Sequence, residues 1–199
     1  MYCQNSLLMH FPQSEYIEQT ISKIEIASDL IDNKVFETCT FRECNFIECR
    51  FNNCSFINCK FVDSVLSAVV FMNCRFIENS FTNSKTIGID WTKASHIQGL
   101  SFNECVLDYS NFRLLKIPYT KILHSQAHEV DFSQTDLSQG DFDGTDFDKS
   151  IFTQTNLYQS KFINAINYYI DTKTCNIKGA HFSMVQALSL LSSLDIIIE

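Results

Sequence analysis

Glycine and proline are scarce in this chain of 199 residues, which has 5 Gly and 2 Pro. A phosphate cradle built on a glycine-rich turn therefore has little to work with, and no nucleophile elbow or HExxH motif is present. No catalytic residue is assigned, and the chain is read as a non-enzyme. No apolar run approaches the ~20 residues of a membrane-spanning helix. The amino terminus, MYCQNSLLMHFPQ, has no basic leader before its short apolar run, so the expected location is the cytoplasm, with no membrane contact. Basic charge is also short: 15 Lys and Arg face 23 Asp and Glu, a net charge of −8. That balance argues against nucleic acid as a direct partner.

The abundant residues are 18 Phe and 9 Cys. An odd number of cysteines in a cytosolic chain reads as reduced thiols. Cys39, Cys44, Cys49, Cys54 and Cys59 recur every five residues, without the short Cys-x2-4-Cys pairs of structural zinc sites. They are assigned to core packing, as small hydrophobes. His124 and His128 are four apart, but their surroundings keep a five-residue rhythm that sends them to different faces. No metal or cofactor is expected.

The rhythm itself is a repeat. Phe occupies 36, 41, 46, 51, 56, 61, 71, 76 and 81, with Leu66 filling the gap. After a slip of one residue between Phe81 and Ile97, the series resumes as Ile97, Phe102, Leu107, Phe112, Ile117, Ile122, Ala127, Phe132, Leu137, Phe142, Phe147, Phe152, Leu157 and Phe162. Two residues before these centres stand small side chains such as Cys39, Ser64, Cys74, Ser95, Cys105, Thr135, Gly140 and Thr155. A period of five fits neither the helix, where it rotates by roughly 140°, nor the strand, where it lands on the opposite face. The backbone must turn a corner in every pentad, and its extended pieces must pair with the coils above and below. The period predicts a β-solenoid.

Asp131-Phe132, Thr135-Asp136-Leu137, Thr145-Asp146-Phe147 and Thr155-Asn156-Leu157 resemble the Ala-Asp/Asn-Leu-x-x signature of the pentapeptide-repeat family. That resemblance implies an all-β, right-handed quadrilateral β-helix with four pentads per coil and two inward side chains per pentad. It is firm from Phe36 to Phe162 and weaker over residues 1–35, where Phe11, Tyr16, Ile21, Ile26 and Ile31 keep the phase. The expected organisation is a solenoid over 1–162 and a cap over 163–199.

In the tail, Ser183 and Gln186 read as a capping box opening a helix over about Met184 to Leu194, followed by an apolar strand. Val185, Leu188, Leu191, Leu194, Ile196 and Ile198 are the candidate homodimer interface, because they offer more apolar surface than one end-cap needs. Asn167-Tyr168, Ile170-Asp171, Asn176-Ile177-Lys178, Phe182-Ser183 and Leu194-Asp195-Ile196 resemble the ending of Qnr-like members of the family. Qnr and MfpA proteins bind DNA gyrase and topoisomerase IV, so the resemblance implies those partners and an effect on quinolone sensitivity. The longer loops that interrupt plasmid-type Qnr coils are missing here. Asp131, Asp136, Asp141, Asp143, Asp146 and Asp148 crowd little more than one coil and form the candidate partner-binding belt of a DNA mimic. The alternative is a scaffold for another protein.

Overall fold

The computed structural model describes residues 10–194. Each pentad centre lies beside its counterpart twenty residues on: Tyr16 pairs with Phe36, Phe36 with Phe56 and Phe56 with Phe76, all in parallel register. Ile21, Phe41, Phe61 and Phe81 form a second column, Ile26 and Phe46 a third, and Ile31, Phe51 and Phe71 a fourth. These columns are the first to fourth faces of a four-sided parallel β-solenoid of about 8 turns. At ~4.8 Å per coil its axis runs about 38 Å.

The core is the ladder that the repeat predicts. From Phe36 to Phe162 no in-phase phenylalanine is more than 3 % exposed. Rings one coil apart stack at the strand spacing: Phe41 to Phe61 and Phe61 to Phe81 are both 4.7 Å apart with interplanar angles of 5° and 7°. Rings on adjacent faces meet edge to face, as Phe36 and Phe41 do at 5.2 Å and 69°.

The small inward side chain two residues before each centre also makes hydrogen bonds. Cys39 Sγ donates to Tyr16 O at 3.2 Å, Cys59 Sγ to Phe36 O at 3.3 Å, and Thr135 Oγ1 to Phe112 O at 2.8 Å. Hydroxyls at this position accept as well: Cys105 N donates to Ser125 Oγ at 3.0 Å, and Val130 N to Ser150 Oγ at 3.0 Å. These are the corner groups left over by the ladder, which would otherwise be buried without partners.

Corners turn on the residue two after each centre. Among the described residues, 27 non-glycine residues have positive φ, and all but Asn167 occupy that place. Two turn styles result. Where the sequence is rich in Cys and Phe, three-residue strands such as Thr40–Arg42 and Asn45–Ile47 follow one another. From Leu107 onward most centres also accept from the residue three later, as Phe132 O does from Thr135 N at 3.1 Å, which closes a β-turn.

The phase slip is narrower than the sequence suggests. Thr86 and Trp91, both fully buried, continue the phase beyond Phe81, and Trp91 stacks between Phe71 and Phe112 at 5.7 Å from each. In regular coils the corner N–H reaches nineteen residues on, as Asn53 N does to Met72 O, but Asn73 N reaches Lys93 O at twenty, and Phe76 pairs with Ile97 at twenty-one. The extra residue is therefore taken up between Trp91 and Ile97, where the chain makes the 3-10 turn Trp91–Lys93. One expectation fails here: Ser95 is exposed rather than inward, and its hydroxyl donates to Asn73 O at 3.1 Å.

Coil pairing runs past Phe162, since Lys161–Phe162 pairs with His181–Phe182 and Asn156 with Asn176. The tail helix differs from its expected form. It is a 3-10 helix over Gln186–Leu194, and Ser183 Oγ accepts from Asn164 N at 2.9 Å in the coil before it. With its hydroxyl tied to the solenoid, Ser183 forms no capping box with Gln186. The expected strand Ile196 to Ile198 lies outside the described residues.

All eight described cysteines are buried and free, and Cys3 lies outside the described residues. Burial pushes the Cys59 thiol up to about 12 and Cys105 up to about 11, and it raises Cys44 and Cys49 too. Cys54 and Cys74, one coil apart, share a hydrogen bond that lowers Cys54 and, together with burial, raises Cys74. Thiol labelling should be slow in the native protein and fast in denaturant; rapid native labelling at Cys39 or Cys59 would contradict this packing. The raised thiols hold their protons more tightly when folded. Their stabilisation is complete below the ordinary value of 9.0 and is lost as pH rises towards about 12. Denaturation midpoints should accordingly fall above pH 9.

Gly140 occupies an inward position, where an added Cβ would lie 2.6 Å from the Phe142 ring and 2.9 Å from Leu137 O. Gly140→Ala should cost about 1–3 kcal/mol by overpacking. Urea titration reads this directly, and an unchanged midpoint would count against the packing described.

Candidate functional site

The acidic belt is distributed as the pentad spacing requires. Asp131, Asp136, Asp141 and Asp146 each precede a centre, on the fourth, first, second and third faces in turn, bridging to Ile151, Asn156, Lys161 and Ile166 of the next coil. Asp143 and Asp148 follow the centres Phe142 and Phe147. All six are half-buried.

Sequence reasoning missed a structural task of this belt. Asp131 Oδ1 accepts from Ser133 N at 2.8 Å, Asp136 Oδ1 from Ser138 N at 3.0 Å, and Asp146 Oδ1 from Asp148 N at 3.1 Å. Asp141 makes a longer bond of the same kind, 3.4 Å to Asp143 N. Each caps its own β-turn as an Asx motif. The signal lay in the sequence, because Asn111, Asn156 and Asn176 fill the same place and make the same bond. A position that takes Asp or Asn alike is chosen for its acceptor oxygen as much as for charge.

Several belt charges are also partnered. Lys161 Nζ lies 3.8 Å from Asp141 Oδ2, and Lys149 Nζ 3.7 Å from Asp148 Oδ2. His128 stands between two carboxylates, Nε2 3.3 Å from Asp146 Oδ2 and Nδ1 3.9 Å from Asp108 Oδ2. These are ion-pair distances when the ring is protonated rather than well-directed hydrogen bonds. Burial pushes the Asp146 carboxyl up, but the Asn167 amide at 2.8 Å, His128 and the Asp148 N–H outweigh it and hold that carboxyl below its ordinary range. His124 and His128 fall on the second and third faces. No cluster that could hold a metal ion occurs among the described residues.

Charge is uneven between faces. Counted by pentad, the third face carries Glu25, Glu48, Asp108, Glu129, Asp146 and Asp148 against Lys85 and Lys149. On the second face Glu43, Asp63, Glu104, Asp141 and Asp143 are matched by Lys23, Arg42, Lys60, Lys121 and Lys161. The most exposed of the large apolar side chains fall in two places. Tyr109, Leu114 and Tyr119 stand on three successive corners of one coil, each more than 60 % exposed. At the carboxyl end, Met184, Val185, Leu188 and Tyr169 are exposed, and Leu191 is half-buried. Of the other candidate interface residues, the side chain of Leu194 and the whole of Ile196 and Ile198 lie outside the described structure. No helix among the described residues is long and apolar enough to cross a membrane.

Comparison with solved structures finds the same solenoid. A trypsin-treated variant of QnrB1, a plasmid-mediated fluoroquinolone resistance protein, matches with a TM-score of 0.54 and 18% identity over 93% of this chain and 98% of that one. HetL, a pentapeptide-repeat protein involved in heterocyst differentiation regulation in the cyanobacterium Nostoc, matches with a TM-score of 0.39 and 12% identity over 91% and 93%. Comparison with curated protein sequences gives no match. Residues 34–112 match the family described as Pentapeptide repeat region and residues 128–166 that described as Pentapeptide repeats (8 copies). The two spans take in more than half of the chain, and with the four-sided coil they place it in the pentapeptide-repeat family.

Proposed function

We propose that this protein binds type II topoisomerase, DNA gyrase or topoisomerase IV, as a DNA mimic and modulates quinolone action. The observation that carries the reading is the solenoid itself: a rod about as wide as its four-pentad coil, net acidic, with −4 of its net charge of −8 on the third face. A rod of this kind can lie in a basic groove made for duplex DNA. Charge density is modest, about one net charge per 5 Å of axis against one per ~1.7 Å in the duplex. Shape and the third face must therefore do much of the recognition. The Asx bonds make Asn the right probe of the belt, because Asn keeps the acceptor oxygen and removes the charge. Asp136→Asn, Asp141→Asn and Asp146→Asn together should leave stability within about 1 kcal/mol. Topoisomerase binding and its steep salt dependence should fall. Supercoiling and quinolone-poisoned cleavage assays with the purified chain decide between outcomes. Absence of binding by the unaltered protein at low salt would favour the scaffold reading, which the exposed corners Tyr109, Leu114 and Tyr119 support.

The same proposal includes a two-fold dimer at the carboxyl end, where Met184, Val185 and Leu188 expose apolar surface that one solenoid leaves uncovered. Two coaxial rods would give a particle of about 75 Å. Sedimentation should show a dimer at micromolar concentration, and truncation before Ser183 should yield monomer or aggregate. A monomeric wild type would remove the dimer from the proposal.

A further inference from the structure

A groove of about 480 Å³ opens at the corner between the first and second faces, beside the coil that carries the extra residue. Its origin is a missing side chain. The corner column reads Thr38, Asn58, Glu78, Gly99, Tyr119 and Gln139, so Gly99, at φ 68°, leaves a gap between Glu78 and Tyr119. The Glu78 carboxylate leans across that gap, where a Cβ on Gly99 would collide with it. Buried Ile97, Leu100 and Ile117 form the apolar floor. Tyr119 supplies one wall, 64 % exposed and held at φ 63°, a left-handed conformation unusual for a bulky side chain. Lys116 and Lys121 flank it from the two faces. Neither has a carboxylate within ion-pair distance among the described residues, although the protein is acidic overall.

We propose that this groove is a binding site for a small planar aromatic carboxylate. The volume lies within the ~300–1,000 Å³ of ordinary ligand clefts, and the lining is apolar with a few convergent charges. The ligand ring stacks on Tyr119, and its carboxylate lies between the two ammonium groups, where charge-assisted hydrogen bonds form. Glu78 repels an anion at the opposite end and so fixes the ligand's direction. This inference stands apart from the topoisomerase reading and requires neither a partner protein nor a dimer.

The probe is 2-naphthoate, titrated into the full chain by calorimetry at low salt, with neutral 2-naphthylmethanol as the control of equal ring size. Saturable one-to-one binding of the carboxylate and much weaker binding of the alcohol are expected. The double variant Lys116→Gln with Lys121→Gln should weaken naphthoate binding by about tenfold or more, since charge-assisted bonds are lost. Gly99→Asn should abolish it by filling the gap. Asn already turns the same corner at Asn58, and exposed Glu78 is free to swing aside, so melting should change little. Should Gly99→Asn unfold, the double lysine variant still decides. No saturable naphthoate binding, equal binding of the alcohol, or affinity unchanged in the lysine variant would each overturn the assignment.

Discussion

At the pentad corners from Glu18 to Asn164, that after Trp91 excepted, the backbone turns on one residue held at positive φ, 52° at Glu18 and 55° at Lys23, and most of these residues are not glycine. An L-residue held there costs roughly 1–2 kcal/mol, so a single isolated coil would be strained throughout. The cost is offset only by stacking. The corner N–H itself donates to the next coil, Glu18 N to Glu37 O at 2.9 Å and Lys23 N to Arg42 O at 3.0 Å, and this pairing repeats along the rod. Each coil is thus stable because of its neighbours, which is the nearest-neighbour cooperativity of repeat proteins. It also explains why coils keep to twenty residues. A coil of twenty-one breaks the register unless something absorbs the extra residue locally, and here the Trp91–Lys93 turn and the wide Trp91 ring do so without opening the core.

The fold was legible because one spacing carried it. A five-residue phase held by phenylalanine admits neither helix nor plain strand, and the in-phase rings are all buried. What escaped the sequence was whatever the phase does not encode. Thr86 and Trp91 are chemically unlike their neighbours in the series, so the slip looked wider than the short stretch between Trp91 and Ile97 that holds it. The last coil was obscured because Tyr168 and Ile170, both buried, fall out of phase with Phe162, although Phe182 returns to stack on it at 5.3 Å. Ser183 carries the local signature of a helix cap, but its hydroxyl is claimed by Asn164 N, a contact nineteen residues away. Local signals lose when a long-range partner competes for the same atom.

The candidate site was legible in position and only partly in role. The spacing alone spread the six aspartates around all four faces. It did not reveal that four of them cap turns, because that bond depends on the closed turn style of this half of the solenoid. The Cys-rich coils use open corners and place no aspartate before their centres, whereas the later coils close the turn and recruit Asp or Asn to hold it. Composition and turn geometry therefore change together along the rod.

That coupling limits how the acidic surface can have arisen. Where a turn is closed by an Asx bond, Asn serves as well as Asp, so the choice of Asp at 131, 136, 141 and 146 adds charge without being demanded by the fold. On the second face the added charge is matched by lysines, such as Lys161 beside Asp141, and contributes little field. On the third face the acids Asp108, Asp146 and Asp148 outnumber their partners, and His128 between Asp108 and Asp146 neutralises them only when protonated. Except at Asp146, whose ionised form the Asn167 amide and His128 favour, the turns need only the acceptor oxygen, and the charge is left free to serve an electrostatic purpose. The face on which that charge stays unbalanced is the one where a basic partner would gain most.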